Sequence, residues 1–228
     1  MFPMIPDEGK VTKTGAPIGN NVTSDLAIRK AVNRAIDREA LVDGVLEGYG
    51  RPAWFVCDSL PWDNQQNRIG DADLNAAREI LKAGGWEDTD GDGVLEKDGL
   101  KAEFTVVYPA GDSLRQGLAL AVVDMLRPVG IRVAVAGKSW DEIKQRMHAN
   151  VIVFGWGSHN PTEIYHLYAG DLAGQGYYNA GFYQNPTVDT YIQKAIHATD
   201  PAASLVYWQK AQWDGTTGCG PRGDAPWA

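Results

Sequence analysis

Residues 103–110 (EFTVVYPA), 131–136 (IRVAVA) and 151–154 (VIVF) are three apolar segments, and the residues between them carry apolar side chains at helical spacing. The first two segments alternate in the way that is typical of a strand with one buried face. The third is apolar throughout, which indicates a strand buried on both faces of a parallel sheet. The order strand, helix, strand, helix, strand predicts an α/β fold with a largely parallel or mixed sheet flanked by helices.

Two loops of this predicted sheet are candidate ligand contacts. Residues 109–112 follow the first strand and residues 155–162 follow the third. Ligands of open α/β sheets lie beyond the carboxyl ends of the strands, so we expect a ligand near these loops.

Further helices are predicted where a capping residue or a proline precedes an apolar stripe. The predicted starts are Ser24 or Asp25, Asp37, Asp73, Asp112 or Ser113, Ser139 with Glu142 as a capping box, Asn160-Pro161, Pro186 and Asp200-Pro201. Residues 1–22 are rich in Pro, Gly and Asn without periodicity, and they are predicted to form an extended lead-in.

Composition limits the possible partners. The 228 residues include 21 Lys+Arg and 29 Asp+Glu, which gives a formal net charge of −8. The chain lacks the positive field that supplies most nucleic-acid affinity, so no nucleic-acid partner is predicted.

No stretch approaches the roughly 18 to 20 apolar residues of a membrane span. The first ten residues show no signal peptide, and the chain stops after a Gly/Pro-rich loop, so we expect a piece of a longer protein.

Motifs for catalysis are missing from the sequence. It contains no G-x-S-x-G, H-E-x-x-H or CxxC pattern, so no catalytic residue, cofactor or metal ligand is predicted. Gly137-Lys138-Ser139 is not a phosphate-binding loop, because Arg132 stands where that loop needs a glycine. Cys57 and Cys219 match neither a zinc site nor a redox motif, and a disulfide between them remains open.

The acidic segment Asp88–Gly93 (DTDGDG) matches the opening of a calcium loop, in which alternate carboxylates converge around the ion. The end of the loop does not match, because Gly99 occupies the position of the bidentate Glu and Asp98 comes one residue early. A solvated turn is the favoured interpretation, and a weak calcium site is the alternative.

The segment Gly155–Pro161 (GWGSHNP) holds the candidate ligand contacts Trp156, Ser158 and His159. An aromatic face, a hydroxyl and an imidazole beside a helix start offer stacking and hydrogen bonds to a polar ligand. If His159 contacts an anionic group, affinity should fall as pH rises through its pKa. The alternative is that Trp156 packs in the core while His159 caps a helix or faces water.

Two neighbouring features carry open alternatives as well. His159 and His166 are seven residues apart, which does not fit the common i, i+4 metal-binding arrangement. An aromatic group in a Gly/Asn-rich loop either stacks on a ligand or covers a core edge or a partner lobe; its members are Tyr177, Tyr178, Phe182 and Tyr183.

Several segments, in order, resemble the extracellular solute-binding proteins of family 5, the peptide-, dipeptide- and nickel-type components of ABC importers. The most specific is AIRKAVNRAIDREALVDGVLEGYG at residues 27–50, followed by Arg51-Pro52-Ala53. The others are residues 76–86 (AAREILKAGGW), 88–93 (DTDGDG), 97–99 (KDG), 126–131 (LRPVGI), 155–156 (GW) and 185–189 (NPTVD).

The resemblance implies a periplasmic-binding-protein-like (type II) fold with two lobes that close on a ligand. Residues 23–228 would then be a single ligand-binding lobe, the C-terminal one, truncated at both ends, and the N-terminal lobe would be its missing partner. It further implies a small polar solute, ABC permease subunits as partners, and a periplasmic or extracellular location. In peptide-binding relatives an aspartate pairs with the ligand's α-amino group, and Ser158 and His159 stand at that place here.

Two other functional classes remain open from the residues. A hydrolase acting on a small polar substrate in the same cleft predicts turnover, whereas a binding protein predicts an unchanged ligand. A sensor or chaperone lobe would report ligand occupancy to another protein. The fold alone does not separate these classes, because function depends on the site.

Overall fold

The computed structural model describes residues 1–55, 58–65, 70–156 and 159–212. The chain divides into two compact units. The first comprises Met1–Pro52 and Gly70–Phe154, and the second comprises Ala53–Ile69 and Gly155–Ala228. The single lobe predicted for residues 23–228 stays a prediction.

The first unit contains five helices and five strands among its described residues. The helices are α1 (Leu26–Ala35), α2 (Arg38–Val45), α3 (Leu74–Ala83), α4 (Ser113–Leu126) and α5 (Trp140–Arg146). The strands are β1 (Glu96–Lys97), β2 (Leu100–Lys101), β3 (Glu103–Pro109), β4 (Arg132–Lys138) and β5 (Val151–Ile152). Residues 1–22 contain no helix or strand apart from an isolated bridge between Val11 and Pro17.

The central sheet is parallel, and β3 lies between β4 and β5. Strands β1 and β2 form a separate antiparallel pair. The predicted α/β class is therefore confirmed. The third strand is shorter than expected, because β5 ends at Ile152 and only the amide of Val153 still donates to the carbonyl of Val107, at 3.0 Å.

Side-chain caps define the helix starts, as predicted from the sequence. Asp25 accepts a hydrogen bond from the amide of Ala27, and Asp37, Asp73 and Asp112 each accept one from an amide of the first turn. Ser139 and Glu142 form the complete capping box of α5. These carboxylates and hydroxyls satisfy amides that have no partner within the helix.

The core of the first unit forms where the apolar faces of α1, α3 and α4 pack with the central sheet. Burial of these side chains is the main favourable term in the folding of the unit. Its fully buried large residues include Ile28, Leu81, Leu126, Ile131 and Ile143.

The second unit is helical among its described residues. It contains α6 (Thr162–Tyr168), α7 (Pro186–His197) and α8 (Pro201–Gln212), with a short turn of 3-10 helix at Gly170–Leu172. Helices α7 and α8 pack together and bury Ile192 and Trp208. In the part of the chain that the structure describes, no helix combines the length and the apolarity that crossing a membrane requires.

Candidate functional site

Trp156 is 36% exposed and stacks on Tyr178, with ring centroids 6.1 Å apart and planes 24° apart. Trp156 is therefore not buried in the core, which was the alternative interpretation. His159 is exposed. Ser158 lies outside the described residues, so its predicted ligand contact stays a prediction.

The stack continues to a third ring. The ring of His166 stacks on Tyr178, with centroids 4.5 Å apart and planes 19° apart. We call Trp156, Tyr178 and His166 the ring stack. Tyr165 tilts against His166 at 5.9 Å, so four aromatic side chains are in sequential contact. Such pairs contribute about 0.5 to 1.5 kcal/mol each beyond the area that they bury.

Helix α6 supplies His166 and holds an acidic side chain beside it. Glu163 precedes His166 by three residues, which places both on one helix face, and its Oε1 lies 3.8 Å from His166 Nδ1. The Glu163 side chain is only 12% exposed. Its Oε2 is buried and has no hydrogen-bond partner among the described residues.

The loop that carries Tyr178 is held by the fully buried Asn179. The Asn179 side chain donates to the carbonyls of Ala169 and Tyr183, and its Oδ1 accepts from the amide of Tyr183. The Asn179 amide donates to the carbonyl of His166 at 2.8 Å. Its φ of +35° lies in the left-handed region, which asparagine tolerates better than most residues.

The predicted aromatic group divides between surface and core. Tyr178 is 37% exposed, whereas Tyr183 is buried and meets the edge of Tyr168 at 6.0 Å. Tyr183 therefore covers a core edge, and ligand stacking by Tyr178 stays a prediction. The role of His166 in the stack was missed, because the sequence showed only its spacing from His159.

The electrostatic environment of the ring stack is acidic. The Tyr165 hydroxyl donates to Asp171 Oδ2 at 3.3 Å, and burial together with the nearby Asp171 charge raises the pKa of Tyr165. Burial is also the main cause that raises the pKa of Asp189, and Asp171 adds to it against an opposing hydrogen bond from Gly170. This arrangement offers aromatic faces in a negative field.

Comparison with known proteins identifies the family. The family model of the bacterial extracellular solute-binding proteins, family 5 Middle, matches residues 11–178, nearly three quarters of the chain. The chain belongs to the bacterial extracellular solute-binding proteins of family 5. The resemblance inferred from the sequence motifs is thus confirmed, and the family consists of binding proteins rather than enzymes.

Two relatives of this family 5 chain illustrate its place. It is 37% identical over 201 residues to Protein XP55 of Streptomyces lividans, covering 86% of this chain and 36% of that protein. It is 29% identical over 189 residues to the oligopeptide-binding protein AppA of Bacillus subtilis, covering 79% of this chain and 35% of that protein. The chain therefore spans about a third of the length of these relatives.

Solved structures of family 5 proteins share the fold. Bacillus subtilis AppA in complex with a nonapeptide has a TM-score of 0.74 and 26% identity, covering 84% of this chain and 40% of that one. NikZ from Campylobacter jejuni in complex with Ni(L-His) has a TM-score of 0.75, 26% identity and the same coverage. The predicted type II periplasmic-binding-protein fold is confirmed.

The acidic loop of this family 5 chain places four carboxylates together, which are Asp88, Asp90, Asp92 and Glu96. One oxygen from each lies within 4.8 Å of the others. The ammonium of Lys101 lies 2.8, 2.6 and 3.2 Å from Asp90, Asp92 and Glu96 respectively. Sequence reasoning missed Glu96, which precedes the position where the calcium motif requires its glutamate.

Cys57 and Cys219 lie outside the described residues, so the disulfide between them stays open.

Proposed function

We propose that this chain is part of the solute-binding component of a bacterial ABC importer. The observation that carries the proposal is the family match over residues 11–178. Relatives of the chain bear names that specify oligopeptide, nickel and glutathione binding. The solute proposed for this chain is correspondingly a small polar molecule, peptide-like or other.

The proposed mechanism is sequestration by closure. Residues 23–228 form the C-terminal lobe, and an N-terminal lobe of the same protein closes with it on the solute. Closure excludes water from the ligand and changes the surface that the permease subunits recognise. The protein acts in the periplasm or outside the cell, where an importer collects its solute.

Trp156, Ser158 and His159 are the proposed ligand contacts of this lobe. Trp156 supports the proposal, because an indole that is 36% exposed and stacked on Tyr178 offers a rigid surface at little entropic cost. In the proposal Ser158 and His159 donate or accept hydrogen bonds that orient the solute. No observation favours the hydrolase alternative.

The test is mass spectrometry of small molecules released by denaturing the full-length protein purified from its native host. We expect one intact solute at close to one molecule per protein. Recovery of an empty protein that converts candidate substrates into products would contradict the proposal and favour an enzyme. A sensor lobe would also release an intact solute, but deleting its gene would leave uptake of that solute unchanged.

A further inference from the structure

The segment of the second unit that carries the ring stack is acidic. Residues 155–193 contain three carboxylates, Glu163, Asp171 and Asp189, and no Lys or Arg. The side chains in this segment that can become cationic are its two imidazoles, His159 and His166. An anionic group brought to Trp156 would therefore find no permanent positive charge from this segment.

Two carboxylates lie close to the aromatic contacts. Glu163 Oε1 is 3.8 Å from His166 Nδ1, and Asp171 accepts the hydroxyl of Tyr165. The Glu163 side chain is only 12% exposed, whereas Asp171 is exposed at the surface and accepts a hydrogen bond from the Tyr165 hydroxyl. Their negative field acts on the stack, in which the rings of Trp156 and Tyr178 are the most exposed and the His166 side chain is 30% exposed.

Aromatic faces attract cations through their quadrupole, and indole does so most strongly. A strongly hydrated ammonium loses much of this gain in desolvation, whereas an alkylated ammonium is weakly hydrated and fits against flat rings. We propose that the ring stack recognises a weakly hydrated organic cation, such as an alkylated ammonium group of the solute. This inference rests on the proposed function and specifies the chemical class of its ligand.

The inference differs from a contact between His159 and an anionic group. An anion would meet the field of Glu163 and Asp171 as well as the negative faces of the rings. A cation gains from both. The ring stack and its neighbouring carboxylates therefore select the sign of the ligand's charge.

The test compares choline with its uncharged carbon analogue, in which a carbon replaces the ammonium nitrogen. Each is titrated into the full chain with isotopically labelled tryptophan, and the indole signal of Trp156 is assigned by its loss in Trp156→Phe. We expect choline to shift this signal saturably and to bind about fivefold more tightly than the carbon analogue. The exposed indole of Trp140, which is 44% exposed in α5, is the internal control and should show no saturable shift.

A charge-removing variant tests the field directly. Glu163→Gln should lower the affinity for choline about twofold and leave the affinity for the carbon analogue unchanged. Only the charged ligand is attracted by the carboxylate. Glu39→Gln, at an exposed site on α2, is the matched control and should change neither affinity. Equal effects of Glu163→Gln on both probes would contradict the inference.

The outcomes separate this inference from the proposed function. Equal or tighter binding of the carbon analogue overturns the inference, and so does a Trp156 signal that choline leaves unmoved at millimolar concentration. An intact solute without a cationic group, released from the full-length protein, also overturns it while the binding function stands. Conversion of candidate substrates by an empty full-length protein overturns the proposed function.

Discussion

Asn179 is the residue on which the geometry of the ring stack depends most directly. Its side chain is fully buried and satisfies two carbonyls and one amide, while its backbone ties the Tyr178 loop to α6 through His166. Removing the amide would leave the carbonyl of Ala169 and both polar backbone groups of Tyr183 without these partners. Buried polar groups without partners are costly, so a local defect here becomes a loss of global stability.

We predict that Asn179→Ala lowers the free energy of unfolding by about 2 to 4 kcal/mol. Urea unfolding followed by circular dichroism measures this change. Asn75→Ala is the matched control, because Asn75 is exposed on α3 and its side chain accepts a hydrogen bond from the exposed Arg78. Its expected change is within about 0.5 kcal/mol. A small effect of Asn179→Ala would show that the loop finds other partners.

Trp156 is the residue through which the proposed binding is tested. We predict that Trp156→Ala lowers the affinity for the solute released from the full-length protein by at least about tenfold. The reason is that truncation removes the exposed stacking face. Trp156→Phe should retain part of the affinity, since it keeps a smaller aromatic ring. Calorimetric titration of that solute gives both values.

Trp140→Ala is the control for the loss of an exposed indole. Trp140 is 44% exposed and belongs to α5 in the first unit, outside the proposed contacts. We expect Trp140→Ala to bind the solute with the same affinity as the unmodified chain. Unchanged affinity in Trp156→Ala would remove Trp156 from the binding surface.

The acidic loop before β1 receives its counter-ion from the neighbouring strand β2. Asp88, Asp90 and Asp92 each accept backbone amides of the loop, which fixes its turn. Glu96 accepts both the amide and the hydroxyl of Thr89. Lys101, on β2, places its ammonium among three of these carboxylates, where an ion would otherwise reduce their repulsion.

We predict that Lys101→Met lowers the melting temperature and that millimolar calcium restores part of the loss. The reason is that the variant leaves four clustered carboxylates without the tethered ammonium. In the unmodified chain we expect no calcium-dependent shift. Thermal scans with calcium or with a chelator measure both effects.

Lys10→Met is the control for this element, because Lys10 pairs with Glu8 at the exposed surface. Exposed pairs contribute little, so its melting temperature should stay nearly unchanged. A calcium-induced rise in the melting temperature of the unmodified chain would favour the calcium interpretation of this loop.

The whole molecule distributes its titrating groups unevenly between the two units. Among the described residues, the carboxyl groups whose pKa is lowered all belong to the first unit; they are Asp25, Asp92, Glu96, Asp112 and Glu142. The Lys101 ammonium lowers the pKa of Asp92 from 3.8 to about 2, with a further contribution from the Val94 amide. Burial opposes the shift at Asp25, but hydrogen bonds from Lys97 and Ala27 outweigh it.

We predict that acid destabilises the first unit before the second. A carboxyl group with a lowered folded pKa contributes stability above its unfolded pKa, and this stability is lost as pH falls through the folded pKa. For Asp92 the loss falls between its ordinary pKa of 3.8 and about 2. The pKa of Asp189, in the second unit, is raised, so protonation of this group relieves a cost instead.

Melting temperatures and amide hydrogen exchange, corrected for intrinsic rates, measure this order between pH 5 and pH 2. We expect protection to fall first in the sheet of the first unit, with a flat profile from these groups above about pH 5. Earlier loss of protection in the second unit would contradict the assignment of acid sensitivity to these five carboxylates.

Local sequence signals predicted the helix starts, because a cap and the amides that it satisfies lie within a few residues. Local periodicity likewise predicted the order of strands and helices along the chain. Asp25, Asp37 and Ser139 each act where the spacing placed them. The same locality explains the error at the third strand. Apolar character continues to Phe154, but the strand ends at Ile152 and only the Val153 amide still bonds to β3, because strand length depends on the neighbouring strand.

The sequence by itself determined the α/β class and the family, since these depend on periodicity and motifs, and residue type predicted Trp156 as a ligand contact. Only the tertiary structure brought His166 and Tyr178 together with Trp156, and Glu96 and Lys101 into the acidic loop. The physical reason is that these contacts depend on how loops and strands pack. Neither a helical nor a strand period specifies the distance between side chains that are far apart in the chain.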